Sequence, residues 1–296
     1  MKRFYTNYLV SAFSDRAFMG NSTGVVIDDG KLTDEEMQNI AKDLNQSVAV
    51  FVTELDRDRY STRFFTPKEE IKLCGHATIA TFYALAENEY IKPIDSGIKK
   101  IIQHTKIGKI PVELEYFNSK IANIYMNLNI KLKEDFEDKK RIFKILGLKE
   151  EDLGFEVCDN FGIEKISTGT CDILIPVKNE EILSSIKLNK EEAIKISKDE
   201  DIISLHVFTT KDGKNIRQRT FSPIIGADEE FGSGTSTAAT MYYLHSNKIT
   251  SSREIVSIQG DYIGRTSKVV ASIKEDDNII RVGGRAYVFM NGVLNI

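Results

Sequence analysis

The sequence predicts an α+β fold of two pseudo-symmetric lobes, each a curved, mostly antiparallel, barrel-like sheet around a central helix. Strand-like segments outnumber helical ones, and two segments that begin at Gly75 and Gly234 are apolar on nearly every side. A helix with that pattern is buried rather than amphipathic. A sheet wrapped around one buried helix in each half of the chain satisfies both observations.

The two buried helices belong to a duplicated segment. Residues 75–85 align without a gap with residues 234–244, and six of the eleven positions are identical. Three upstream segments repeat in the same order, and they begin at Leu32 and Leu188, at Ser47 and Ser204, and at Phe65 and Phe221. Together these repeats indicate an internal duplication of roughly 150 residues. We therefore expect two similar lobes with a ligand site between them.

The first lobe is predicted to open with a hairpin-like pair of strands and a capped helix. Residues 8–13 and 24–27 are strand-like, and Gly20-Asn21-Ser22 supplies a turn between them. Thr33, followed by acidic residues, starts a helix of about ten residues. Apolar runs predict strands at 48–52 and 63–65 before the buried helix, and at 98–104, 110–116 and 121–127 after it.

The second lobe is predicted to repeat this order. Its strands are expected at 164–167, 172–177, 202–209, 218–221, 254–259, 267–273 and 279–282, with a helix capped by Asn189 at about 190–198. The charged stretch 131–149 is interpreted as a solvated helix at 141–146 plus a linker. The last strand, 285–290, is a candidate to return to the first lobe. The predicted lobes are 1–117 with about 284–296, and 118–283.

Composition excludes several classes of function. A chain with 41% hydrophobic and 28% charged residues is typical of a soluble globular protein, and a net charge of −4 gives no reason to expect nucleic acid or an anionic membrane. No apolar run reaches membrane-spanning length and no signal peptide is evident, so we expect a cytoplasmic protein. Cys74, Cys158 and Cys171 are far apart, which predicts neither a disulfide framework nor a metal site.

A set of motifs spread over nearly the whole chain carries a family resemblance. The set consists of Gly20-Asn21, Phe65-Thr66-Pro67, Cys74-Gly75-His76-Ala77-Thr78, Phe221-Ser222-Pro223 with Glu229-Glu230 and Gly234-Thr235, and Gln259-Gly260 with Gly264-Arg265. Together they resemble the phenazine-biosynthesis PhzF-like family. The resemblance implies a fold like that of diaminopimelate epimerase, usually as a homodimer. It also implies a cofactor-free isomerase that moves a proton within trans-2,3-dihydro-3-hydroxyanthranilate.

The resemblance assigns proton transfer to two side chains, His76 and Glu230, and these are the candidate catalytic residues. His76 is the histidine of the C-G-H-A-T motif, and Glu230 stands where the family has an aspartate before the second helix. The family's proton-shuttling glutamate, in the motif S-E-T-A-F, is replaced by Val48, which cannot carry a proton. The competing explanations are a structural hydrogen bond for His76 and a helix-dipole role for Glu230.

The first turns of both buried helices are predicted to bind substrate. Their unpaired N–H groups and partial positive charge favour an anion. The candidate substrate-binding residues are Gly75, Ala77, Gly234, Thr235 and Asn21, and Thr235 is expected to hold a carboxylate together with the N–H groups around the two glycines. Helix capping and turn formation are the competing explanations. The expected partner is a small anionic metabolite, with no metal and no cofactor.

Cys74 precedes the first buried helix, where diaminopimelate-type epimerases carry one of their two thiols. At the second such position the chain has Phe231, which rules out a two-thiol racemase. Cys74 is therefore interpreted as a small buried residue, and activation of its thiol by the helix N-terminus is the alternative.

The sequence thus predicts a cofactor-independent isomerase or epimerase that moves a proton on a small amino- or hydroxy-substituted carboxylate. The alternative is a small-metabolite binding protein that lost catalysis because the family glutamate is Val48. A second alternative is a partner-binding role of the dimer surface, which the charged stretch 131–152 would support.

Overall fold

The computed structural model describes residues 2–156, 161–274 and 278–296. The chain divides into two compact units, Met1–Asn127 with Gly283–Ile296, and Leu128–Val282. The predicted division at 117/118 placed the strand at 121–127 in the second lobe, whereas hydrogen bonds pair this strand with the preceding one in the first unit. Cys158 lies outside the described residues.

The elements follow one another in nearly the predicted order. The first are β1 (Phe4–Ala12), β2 (Asn21–Ile27), α1 (Asp34–Leu44), β3 (Val48–Asp56), β4 (Arg59–Phe65), β5 (Glu70–Ile71), α2 (Gly75–Glu87), β6 (Gly97–Thr105), β7 (Gly108–Phe117) and β8 (Lys120–Asn129). They are followed by β9 (Leu132–Asp135), α3 (Lys139–Leu146), β10 (Glu164–Ser167), β11 (Cys171–Pro176), α4 (Glu180–Ser185), α5 (Lys190–Asp199), β12 (Ser204–Thr210), β13 (Asn215–Phe221), α6 (Gly234–Ser246), β14 (Glu254–Gln259), β15 (Ser267–Ile273), β16 (Ile279–Gly284) and β17 (Ala286–Asn295).

In the first unit the strands lie in the order β17-β1-β2-β3-β4-β6-β7-β8. Neighbours are antiparallel except for β2–β3 and β4–β6, which are parallel. The last strand pairs with β1 along its length, which confirms its predicted return to the first lobe. Gly20, which precedes β2, has φ +73°, and a Cβ there would lie 2.2 Å from the Ala12 oxygen, so this tight return requires glycine.

In the second unit the order is β9-β10-β11-β12-β13-β14-β15, and the pairs β11–β12 and β13–β14 are parallel. The parallel and antiparallel pairs thus alternate as they do in the first unit. Helix α2 follows the β3–β4 hairpin and α6 follows the β12–β13 hairpin, which confirms the duplication. Over the pairings of the described residues, the sheet is not closed into a barrel.

The central helices are buried as predicted. Every residue of α2 from Ala77 to Ala86 is buried, and the helix packs against β1, β2, β3 and β17. Helix α6 buries nearly its whole length against β11, β14 and β15. In the parts of the chain that the structure describes, no helix combines the length and apolar character needed to cross a bilayer.

The predicted caps also form. The Thr33 side chain accepts the Glu36 N–H, and the Asn189 side chain accepts the Glu192 N–H. Such caps satisfy N–H groups that have no partner inside the helix. Met37 on the apolar face of α1 is buried in the core of the first unit.

The charged stretch 131–149 differs from its prediction as a solvated helix and linker. Residues Leu132–Asp135 form β9, which pairs with β10. Helix α3 buries Ile142, Ile145 and Leu146 in the core of the second unit. The stretch is rich in lysine and glutamate, which led to the prediction of a solvated helix, but the helix is amphipathic and its apolar face is fully buried.

Candidate functional site

His76 lies in the first turn of α2 and contacts polar side chains from neighbouring strands. Asn21 Nδ2 lies 3.3 Å from His76 Nδ1, and Ser47 Oγ lies 3.4 Å from His76 Nε2. Asn21 begins β2 and Ser47 directly precedes β3, and these parallel strands pack against α2. The fold therefore brings Asn21 together with Gly75, His76 and Ala77. A Cβ at Gly75 would meet nothing within 4 Å, so the space beside this helix end is open.

The contacts of His76 select one neutral tautomer. Ser47 Oγ donates its proton to the Ser22 oxygen at 3.0 Å, so it accepts from His76 Nε2–H. His76 Nδ1 then accepts from the Asn21 amide. Burial lowers the pKa of His76 to about 4, so the ring is neutral near pH 7. In its resting state His76 is therefore a neutral base or a hydrogen-bond donor, and it becomes an imidazolium only after it accepts a proton.

Val48, which the resemblance places at the position of a glutamate, lies in an apolar cluster beside the same helix end. Its side chain is 4% exposed and packs with Val50, Phe64 and Ala77. Ala77 directly follows His76, so position 48 faces the first turn of α2. No group at this position can exchange a proton, and the packing would oppose a charge there.

Cys74 lies at the N-cap of α2, and its thiol contacts the imidazole. The distance from Cys74 Sγ to His76 Nδ1 is 3.3 Å, and the side chain is partly buried. The thiol therefore belongs to the surroundings of His76 in the first unit.

In the second unit, a bidentate ion pair fixes the segment that leads to α6. Arg219 Nε and Nη2 donate to Glu229 Oε1 and Oε2 at 2.9 and 2.7 Å, and the two side chains are about nine-tenths buried. The first unit has the same arrangement, since Arg63 donates to both oxygens of Glu70 at 2.9 and 2.7 Å. Glu229 thus has a structural role, which leaves Glu230 as the carboxylate to consider for chemistry.

The main chain of Glu230 is held on both sides. Its N–H donates to the Thr220 oxygen and its oxygen accepts from Gln259 Nε2, both at 2.9 Å. Gln259 Oε1 also accepts the Ser233 N–H at 3.1 Å. A Cβ at Gly260 would lie 2.5 Å from the Phe231 oxygen, so a glycine is needed for the chain to approach this loop. The Gln259-Gly260 motif therefore positions the residues just before α6.

A buried carboxylate lies behind the first turn of α6. Asp172, on β11, is 2% exposed and accepts from Ser236 Oγ at 2.7 Å. Ser236 Oγ lies 2.9 Å from Ser233 Oγ, which lies 3.2 Å from Thr235 Oγ1. Burial raises the pKa of Asp172 to about 6. In the second unit Gln259 thus links the Glu230 main chain to the start of α6, where Gly234 and Thr235 lie, and Asp172 contacts the same turn through Ser236.

Two other features of the described residues bear on ligands. No group of three or more His, Cys, Asp or Glu side chains there is arranged to hold a metal ion. A cavity of about 430 Å³ in the second unit is lined by residues including Thr209, Arg217 and Lys268, and by none of the candidate site residues.

Comparison with known proteins identifies the family. The family model for phenazine biosynthesis-like proteins (PhzC-PhzF) matches residues 10–292. The chain belongs to this family. An uncharacterized isomerase of Clostridium acetobutylicum is 30% identical over 99% of both chains. The trans-2,3-dihydro-3-hydroxyanthranilate isomerase of Pseudomonas aeruginosa is 25% identical over 96% of this chain and 97% of that protein. The crystal structure of a PhzF-family protein from Bacillus anthracis covers 99% of this chain and 100% of its own, with a TM-score of 0.86 at 27% identity.

One buried carboxylate beside the candidate site was not among the residues predicted from the sequence. Asp172 belongs to none of the motifs that carried the resemblance. The one available signal was the adjacent turn at 167–170, whose Thr168 hydroxyl contacts the Thr235 oxygen at 3.4 Å. The burial of Asp172 depends on strand pairing and on a helix more than sixty residues away in the sequence, and neither is visible in local patterns.

Proposed function

We propose that this PhzF-like protein is a cofactor-independent isomerase or epimerase. It moves a proton on a small amino- or hydroxy-substituted carboxylate, and His76 and Glu230 carry the proton. The observation that carries the proposal is the neutral His76 at an open helix end, held by Asn21 and Ser47 in a chain whose relatives include isomerases. A histidine that is neutral near pH 7 can accept a proton without first losing one.

Each proposed proton carrier is positioned by hydrogen bonds. His76 is oriented through both ring nitrogens. The Glu230 main chain is fixed by Thr220 and Gln259, so its side chain leaves a rigid backbone. Catalytic groups need this kind of support because small displacements reduce the rate strongly. The proposed carboxylate-binding groups are the N–H groups at Gly75 and Ala77 in the first unit and those at Gly234 and Thr235 in the second.

The competing proposal is a metabolite-binding protein without catalysis, and the packing of Val48 favours it. The family mechanism places an acid at this position, whereas the side chain here is enclosed by apolar neighbours. Binding by the helix N-termini does not depend on position 48, so a ligand site survives the loss of the glutamate. The two proposals differ only in whether protons are exchanged.

Incorporation of solvent deuterium, measured by NMR, distinguishes them. The protein is incubated in D2O with small amino and hydroxy carboxylates, including trans-2,3-dihydro-3-hydroxyanthranilate. We expect incorporation that is lost in Glu230→Gln and in His76→Gln. Asp228→Asn is the matched control, because Asp228 is an exposed neighbouring carboxylate that pairs with Lys190. Ligand binding without incorporation, or incorporation that survives both catalytic substitutions, would contradict the proposal.

We further propose that the protein is a cytoplasmic homodimer. The first unit exposes large apolar side chains along β17, including Tyr287, Phe289, Met290 and Val293, and the exposed Phe18 packs edge-on against Phe289. An apolar surface of this kind is typical of an interface between subunits. Light scattering should give a mass near twice 33.5 kDa, and Phe289→Glu should shift it to the monomer. A monomeric wild-type protein would refute the dimer.

A further inference from the structure

Three hydroxyl groups connect Asp172 to the candidate site at the start of α6. They belong to Ser236, Ser233 and Thr235, and the successive distances from Asp172 Oδ2 are 2.7, 2.9 and 3.2 Å. Asp172 and Ser236 are 2% and 1% exposed, whereas Thr235 is partly exposed. This series of hydrogen bonds therefore leads from a buried carboxylate to a hydroxyl that a ligand can reach.

The direction of donation along these hydrogen bonds follows from the number of hydroxyl protons available. An ionised carboxylate only accepts hydrogen bonds, so the one hydroxyl proton of Ser236 is directed to Asp172. Ser233 then has to donate its proton to Ser236, because the Ser236 oxygen has none left to give. By the same reasoning, Thr235 donates to Ser233. Thr235 Oγ1 therefore presents only lone pairs to a ligand.

This direction requires Asp172 to be ionised, and its surroundings allow that near neutral pH. Burial raises its pKa to about 6, while the side chains of Ser204 and Ser236 partly offset the effect. Ser204 is its register partner on β12. The neighbouring titratable group is Cys171, whose thiol is neutral in this range because burial raises its pKa to about 11.

We propose that Asp172 is a positioning residue that acts through Ser236 and Ser233 to fix Thr235 as a hydrogen-bond acceptor, so that the site selects substrates with an amino or hydroxyl donor beside the carboxylate. The inference rests on the proposed function, since it concerns the same site. It reassigns Thr235, whose hydroxyl was a candidate to bind the carboxylate. A carboxylate facing Thr235 Oγ1 would meet lone pairs, so the carboxylate belongs on the main-chain N–H groups instead.

The first experiment measures ligand discrimination. Anthranilate and benzoate share a ring and a carboxylate, but only anthranilate has an adjacent donor. Their dissociation constants are measured at pH 7.5 from chemical-shift changes of the amides near Thr235. We expect wild type to prefer anthranilate by about three- to tenfold, the effect of one hydrogen bond. The preference should fall toward unity in Ser233→Ala, because the freed Thr235 proton lets Oγ1 donate to the carboxylate of benzoate as well as accept, and it should return in Ser233→Thr.

Equal affinities in wild type, a preference that persists in Ser233→Ala, or no saturable binding of either probe would each overturn the inference. Its failure is separable from failure of the proposed function. Deuterium incorporation without discrimination would refute only the role of Asp172. Discrimination without incorporation would support that role in a binding protein.

A second measurement tests the direction of the chain without any ligand. Hydroxyl groups that donate toward Asp172 stabilise its ionised form. The pKa of the Asp172 carboxyl, followed by carbon NMR, should therefore rise in Ser236→Ala and, to a smaller extent, in Ser233→Ala. Thr235→Ser, which keeps the hydroxyl, should leave it unchanged. An unchanged pKa of Asp172 in Ser236→Ala would show that these hydroxyl groups do not donate toward Asp172.

Discussion

Replacing Asp172 by asparagine should stabilise the protein at neutral pH and have little effect near pH 4. Asparagine has the shape of the protonated carboxyl and can still accept from Ser236. The pKa of Asp172 is raised by burial from 3.8 to about 6. The stability that the protonated form contributes is complete below pH 3.8 and is lost as the pH rises through 6. Since one pKa unit corresponds to about 1.4 kcal/mol, the ionised form should cost at most about 3 kcal/mol above pH 6.

The difference in free energy of unfolding between wild type and Asp172→Asn is measured by urea unfolding. Circular dichroism follows the unfolding at pH 7.5 and at pH 4.0. We expect the variant to be more stable by about 2–3 kcal/mol at pH 7.5, equivalent to roughly 3–5 °C in Tm for a chain of this length. Asp228→Asn makes the same change of charge at an exposed position and should have little effect at either pH. An equal effect at both pH values, or destabilisation at pH 7.5, would refute the reasoning.

Three other substitutions test separate parts of the structure. Arg219→Met should destabilise by about 3–5 kcal/mol, because it leaves Glu229 nearly buried without its partner, and Arg219→Met with Glu229→Leu should recover most of the loss in thermal unfolding. Val48→Glu should lower Tm more at pH 7.5 than at pH 4.5, since its apolar neighbours raise the pKa of the introduced carboxyl; an equal loss at both values would show that the side chain reaches solvent. Ile142→Ala should cost about 2–5 kcal/mol in denaturant unfolding, whereas a solvated 131–149 stretch would lose under about 0.5 kcal/mol.

Much of the fold was predictable because its signals are local. The caps at Thr33 and Asn189 and the two all-round apolar helices depend on residue spacing within a turn or two, which the sequence displays directly. The duplication made each lobe a check on the other. Strand β9 was missed because its short, charged sequence carries no alternation, and its partner β10 lies some thirty residues away.

The candidate site was predictable only where a motif marked it. His76 and Glu230 were selected by their places in family motifs. Asp172 was not predicted, because its proposed role depends on burial and on a hydroxyl contact with a distant helix. The neutral state of His76 was likewise not visible, since it depends on the burial of the ring, and its tautomer depends on the contacts with Asn21 and Ser47. Such properties arise when distant segments pack, and residue identity alone does not encode them.

The paired arginine and glutamate side chains have a consequence for how new activities can arise on this scaffold. Two ion pairs link a strand to the segment that leads into each central helix, and they are Arg63–Glu70 and Arg219–Glu229. These ties do not involve the residues at 48, 76, 230 or 235. Laboratory evolution could therefore randomise positions 76, 230 and 235 together while keeping the ion pairs and the buried Val48 constant, and most members of such a library should still fold.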